Sequence, residues 1–203
     1  MTGFYASTPN FVSITPTTPL TAAATPAELA EYLGLIADQS ETPPNIAMLN
    51  GLLLAATQAV IDATGVQIVS RDFVVIYDYY PQTRPAFGGL APLNSVPAPW
   101  LSFGVYPVAV VTQVLANLDF VDSADYEYDA ARLWFTTLVH GRIGLGLTAG
   151  TPTEWGKAAV LAVAAYMYEH RGGCDAGDAV KQSSAWALIK GQRRFAEIGR
   201  AHV

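Results

Sequence analysis

Two copies of one short pattern bracket this chain: Thr25-Pro26-Ala27-Glu28 and Thr151-Pro152-Thr153-Glu154. Each is a helix start. The threonine oxygen accepts from an N–H of the first turn, the glutamate reaches back to the cap, and proline sits where no N–H is needed. The chain therefore has helices towards both ends, with Thr25, Glu28, Thr151 and Glu154 as expected caps. After the first start, Leu29, Leu33 and Ile36 share one face of a short helix reaching about residue 38. A break at 39–44 precedes a second helix over 45–64, with Ile46, Leu49, Leu53, Ala56 and Val60 at three- and four-residue spacing and Gly65 at its C-cap. After the second start a helix runs to Arg171 and stops at Gly172-Gly173. A last helix is expected over 178–198.

Between the two starts the period changes. Residues 66–80 are rich in Val, Ile, Phe and Tyr and read as a strand, with Asp72 and Asp78 as polar interruptions. A loop over 81–99 holds five prolines; loops of that length in compact domains carry function or move. Strand character returns over 101–118, broken at Pro107, and again at 126–128, 132–135 and 142–148. Residues 1–24 carry no charge and are rich in Thr, Pro and Ala, which gives an extended arm. The expected class is α+β: mainly a helical bundle, with a small antiparallel β region inserted between helices 2 and 3. Its parts are the arm 1–24, a core domain 25–175, and a basic C-terminal helix or tail 176–203.

Half of the 203 residues are apolar and 14% are charged. The longest apolar run, 158–168, is far short of the ~20 residues of a spanning helix, so the excess is expected against other subunits and not in a membrane. No Lys or Arg precedes Arg71, which leaves no basic leader, and synthesis in the cytosol is expected. Residues 1–177 hold 6 Lys and Arg against 15 Asp and Glu, a balance of −9, whereas 178–203 hold 5 against 2, a balance of +3. An acidic body is a poor holder of DNA, because phosphate binding needs clustered cations.

No catalytic, cofactor or metal site emerges. His140, His170 and His202 have no ligand partners at metal spacing, and Cys174 is single. Glu169-His170-Arg171 are consecutive on a helix, point about 100° apart and cannot converge on one atom. The glycines at 141, 144, 146 and 150 lack the spacing of a nucleotide loop and read as a strand with close backbone approach. Asp119, Asp122, Asp125, Glu127 and Asp129 lack the spacing of a calcium loop and form a solvated turn or an acidic surface that repels DNA.

The order of features resembles the phage head–tail connector or adaptor proteins, the small neck proteins of tailed phages and gene transfer agents. The residues that carry the likeness begin with Ala55-Ala56, Val60 and Thr64-Gly65. Leu101, Pro107-Val108, Val111 and Val114 follow, then Tyr126-Glu127-Tyr128-Asp129, then Leu145-Gly146-Leu147-Thr148-Ala149-Gly150. Tyr168-Glu169-His170-Arg171 closes the series, which spans about residues 19–173. The resemblance implies a non-enzymatic virion protein without cofactors, located in the neck between capsid and tail. It implies a ring of about twelve copies beneath a portal protein, receiving a stopper or tail-terminator protein, with DNA passing through unread. Lys190, Arg193, Arg194 and Phe195 are then the expected portal contacts. A DNA-packaging or DNA-binding accessory factor is the alternative, and a small enzyme with a dispersed site a more distant one.

Overall fold

A computed structural model describes residues 10–79, 101–137, 139, 141–170 and 175–192. The chain divides into two compact units, each made of two separate stretches: 19–71 with 150–203, and 1–18 with 72–149. The first is helical and the second is built of strands.

In the helical unit, α1 (Pro26–Tyr32) and α2 (Ile46–Thr64) lie before the strand-rich stretch. α3 (Glu154–Glu169), α4 (Ala176–Gln182) and α5 (Ala185–Ile189) lie after it. α3 packs on α1, α2, α4 and α5. Its contact face is made of small residues: Gly156, Ala159, Ala162, Ala164 and Ala165 are buried with Val160 and Val163. Small side chains let helix axes approach closely. A Cβ at Gly156 would come within 3.0 Å of Ile68, so this position admits little more than glycine. α2 is long and apolar enough, by length and composition, to cross a membrane, which the run-length reading did not anticipate. Its stripe of Leu49, Leu53, Ala56, Val60 and Ile61 is nonetheless buried, while Asn50 and Asp62 are exposed. That is the pattern of a core helix with a wet face. The final helix expected over 178–198 is interrupted at Ser183-Ser184 between α4 and α5, and 193–198 lie outside the described residues.

The other unit corrects the expected class. The chain is α+β, but not mainly a helical bundle with a small β region: its strands form two antiparallel sheets with a large core of their own. One sheet has five strands, β1 (Asn10–Pro16), β2 (Arg71–Tyr79), β8 (Gly141–Ala149), β4 (Val108–Ala116) and β5 (Asp119–Phe120), in that order. The other has three, β3 (Leu101–Ser102), β7 (Arg132–Phe135) and β6 (Tyr126–Tyr128). The expectation undercounted because two pieces of sheet come from stretches with weak strand signals: the uncharged arm supplies edge strand β1, and β5 is a two-residue strand after a tight turn. Residues 66–70, expected as strand, contribute Val66, Ile68 and Val69 to the helical unit's core instead.

Both sheets fill one core, with Phe73, Val75, Leu101, Phe103, Leu133, Phe135, Ile143, Leu145 and Leu147 among its members. Buried Tyr77 belongs to it, and its hydroxyl donates to the Ser102 carbonyl, joining β2 to β3. Burial pushes the Tyr77 phenol well above its ordinary pKa, so it stays a neutral donor. Two aspartates that interrupt β2 have plain duties. Asp72 accepts from Thr148 Oγ1 at 2.7 Å, and Asp78 lies 3.4 Å from Arg142 Nε.

Candidate functional site

The helix starts show how local chemistry positions the polar groups. At α1, Thr25 Oγ1 accepts from the Glu28 N–H at 3.3 Å, and Glu28 Oε2 accepts from the Thr25 N–H at 2.8 Å. The other Glu28 oxygen takes the Lys157 ammonium of α3, 129 residues away in sequence. Burial acts to raise the Glu28 carboxyl, but Lys157 and Thr25 together outweigh it and hold the group below its ordinary value. The hydrogen bond to Glu28 raises Lys157 in turn. At α3 the cap is Thr153, not Thr151: its Oγ1 accepts from the Gly156 N–H at 3.2 Å. Thr151 lies outside the helix because its N–H donates to the Gln67 carbonyl, and Glu154 is the first helical residue.

Catalytic geometry does not assemble at the end of α3. His170 stacks on Tyr166, with ring centroids 4.0 Å apart at 15°, and its Nδ1 lies 2.9 Å from the Tyr166 carbonyl. Both Glu169 and His170 are exposed. His140, Arg171, Cys174 and His202 lie outside the described residues. Among the described residues no group of three or more His, Cys, Asp or Glu is placed to hold a metal ion.

Several of the acidic side chains have local partners. Asp122 Oδ1 accepts from the Ala124 N–H at 2.9 Å, shaping a 3-10 turn. Asp129 Oδ1 accepts from the N–H groups of Ala131 and Arg132 at 2.6 and 2.7 Å, closing the β6–β7 turn. Glu127 accepts from Trp134 Nε1 at 3.1 Å. Asp119 is exposed on β5, and Asp125 is half-buried. Lys190 is exposed just beyond α5; Arg193, Arg194 and Phe195 lie outside the described residues.

The glycine series on β8 serves the sheet. Gly141 has φ +101°, and a Cβ there would strike the Asn117 side chain. Asn117 fills that space and ties the β4–β5 turn to β8: its Oδ1 accepts from the Arg142 N–H at 3.0 Å, and its N–H donates to the Arg142 carbonyl at 2.8 Å. Gly146 lies opposite the bulged part of β4, where a Cβ would meet Thr112 and Gln113 at 2.7 and 2.8 Å.

The surface that residue reading missed is the turn so anchored. Leu118 is 86% exposed and Phe120 is 79% exposed, the two most exposed large apolar residues described. The available signal was the lack of any Lys or Arg from 117 to 131, together with Leu and Phe set among aspartates.

No protein-family profile and no curated protein sequence matches the chain. A solved structure does: a chain of the "Virion of native gene transfer agent (GTA) particle" superposes with a TM-score of 0.63 at 21% identity, covering 93% of this chain and 98% of that one. At that identity the likeness shows the fold, and it extends over nearly the full length of both chains.

Proposed function

We propose that the chain is a structural, non-enzymatic virion protein that acts as a head–tail adaptor in the neck. It forms a ring of about twelve copies under a portal protein, extends the DNA channel, and receives a stopper or tail-terminator protein. The observation that carries this reading is the end-to-end likeness to a chain of a gene transfer agent virion, where a shared domain alone would leave much of one chain unmatched. The ordered packing motifs of the sequence agree with it, and so do large apolar side chains left exposed at Phe11, Leu118 and Phe120. Exposed apolar groups of this size fit a protein completed by neighbours. In a channel, the net negative body repels DNA and lets it pass without being held.

The test is co-expression with the portal protein encoded by the same genome, followed by native mass measurement and negative-stain imaging. Portal rings carrying an added ring of this chain are the expected result. A folded chain that leaves the portal bare would overturn the reading.

A further inference from the structure

Strand β1 stands at one end of the five-stranded sheet and β5 at the other. The exposed large apolar residues described in this unit gather at those ends, Tyr128 apart. Phe11 and Val12 are on β1, and Leu118 and Phe120 are on the β4–β5 hairpin. Val110 is on β4, whose outer side carries no strand before Leu115 among the described residues. Neither end is built as a sheet edge meant for water, which is usually guarded by charge, lysine above all. β1 has no charged residue. Its bulge between Phe11 and Ser13 leaves two consecutive apolar side chains 51% and 43% exposed, where regular alternation would turn one inward. At the other end Leu118 takes φ +78°, a backbone that L side chains rarely adopt, in a hairpin that Asn-Gly would fill without strain. That turn holds leucine in water at 86% exposure, two residues before Phe120 at 79%. Single exposed apolar residues need no explanation; a matched pair at each end of one sheet does.

Each end suits the other. A twofold contact of β1 with β1, or of β5 with β5, would cover one pair and leave the other in water. A head-to-tail contact covers both pairs with one kind of interface, and contacts between unlike surfaces close into rings where their rotation allows. Charge permits it. The β5 end holds exposed Asp119, and Arg142 lies beside the turn with its guanidinium 3.4 Å from Asp78. An uncharged strand meets both signs and brings no unpaired charge of its own into the contact. Strand against strand also gives backbone partners to the outer side of β1, which carries no strand among the described residues. We infer that β1 of one copy docks on the β4–β5 end of a second copy, so that the sheet continues from chain to chain. Resting on the adaptor reading, this contact supplies the ring with its subunit interface.

The test uses the full chain with Phe120→p-benzoylphenylalanine, irradiated both free at high concentration and on portal rings. Isotope-labelled and unlabelled copies are mixed, so that mass spectrometry separates crosslinks between chains from those within one. Crosslinks between chains to residues 10–16 are expected. Val12→Lys, which adds the missing edge charge, and Leu118→Gly should each lower their yield about fivefold or more. Leu118→Gly should melt no lower than the parent, because glycine adopts that backbone freely. Portal rings that carry the chain without these crosslinks would overturn the interface and leave the adaptor reading standing. Crosslinked copies of the free chain beside a bare portal would do the reverse. Links from position 120 to the same hairpin of another copy, or yields indifferent to both substitutions, would also overturn the interface. Bare portals and no crosslinks would overturn both.

Discussion

Helix α2 and strand β4 are both uncharged through their apolar stretches, yet they bury their side chains by different rules. In α2, Leu49, Leu53, Ala56 and Val60 are buried at spacings of three and four. That period belongs to the helix itself, because its hydrogen bonds close within the segment. In β4, Val108, Val111 and Val114 are buried at a spacing of three, where a regular strand would alternate at two. The pairing of β4 with β8 shifts register between Val108 and Val110 and again between Val111 and Gln113. Each shift inserts a residue and turns the next side chain inward. Burial along the helix is thus an internal property, while burial along the strand is imposed by a partner.

A close backbone approach inside the helical unit gives the largest expected effect. Gly150 follows β8 with φ +98°, and a Cβ there would lie 1.9 Å from the Val69 carbonyl oxygen. Backbone cannot yield as a side-chain tip does. Gly150→Ala is expected to cost about 3 kcal/mol or more in urea unfolding. Gly144→Ala, inside β8, would meet only Leu115 at 3.8 Å and should cost under about 1 kcal/mol. Equal effects would show that the close approach at Gly150 is absent.

The bulges can be tested next. Val111 is 8% exposed and Val110 is 48% exposed. Val111→Ala should lose roughly 1–3 kcal/mol and Val110→Ala less than about 0.5. If the reverse is measured, β4 alternates regularly and the bulged register is wrong.

The same contrast explains what the residues disclosed. The helix over 45–64 was legible to within a residue, because 3–4 periodicity, Gly65 and an uninterrupted ladder all agree. β4, β6, β7 and β8 were legible as strands from their composition. Their gathering into two sheets was not, because pairing depends on residues distant in sequence. β1 pairs with β2 across about sixty residues, and nothing in the uncharged arm announces it. The turn at Leu118 hid for a related reason: Asn-Leu is not a turn pair by composition, and only its positive φ values and exposure mark it. The break in the last helix lies at Ser183-Ser184, where an apolar and cationic pattern read as continuous. The stacking of His170 on Tyr166 pairs residues one helical turn apart, a contact that the spacing permits but does not announce.

A smaller effect separates the two helix starts. They share Thr, Pro and Glu at the same spacing, but the second has Thr153 where the first has Ala27, and its cap is displaced by two positions to that threonine. Thr153→Ala should cost about 1 kcal/mol, the ordinary worth of an N-cap, while Thr151→Ala should fall within about 0.5. Chemical denaturation of the two variants side by side decides it. A larger loss from Thr151→Ala would restore the start as the sequence pattern has it.

The smallest expected effect concerns the first start, where the cap also holds an ion pair. Glu28→Gln keeps a group able to cap at the third helical position, so it removes the charge from the Lys157 contact and little else. Because the Glu28 carboxyl is held below its ordinary value of 4.5, its contribution is fully present above that value and is lost as pH falls through the folded-state value. Lys157 has the opposite sign. Raised above 10.5, it contributes fully below that value and fades as pH climbs through its folded-state value. The variant should therefore unfold at lower denaturant than the parent across the neutral range, and the gap should close at both acid and strongly alkaline pH. The gap will be modest, because Lys157 is partly in solvent, its side chain 38% exposed. A gap that persists unchanged into acid would mean that Glu28 acts here through its cap geometry and not through its charge. The link between α1 and α3 would then rest on apolar contact, as it does between α2 and α3.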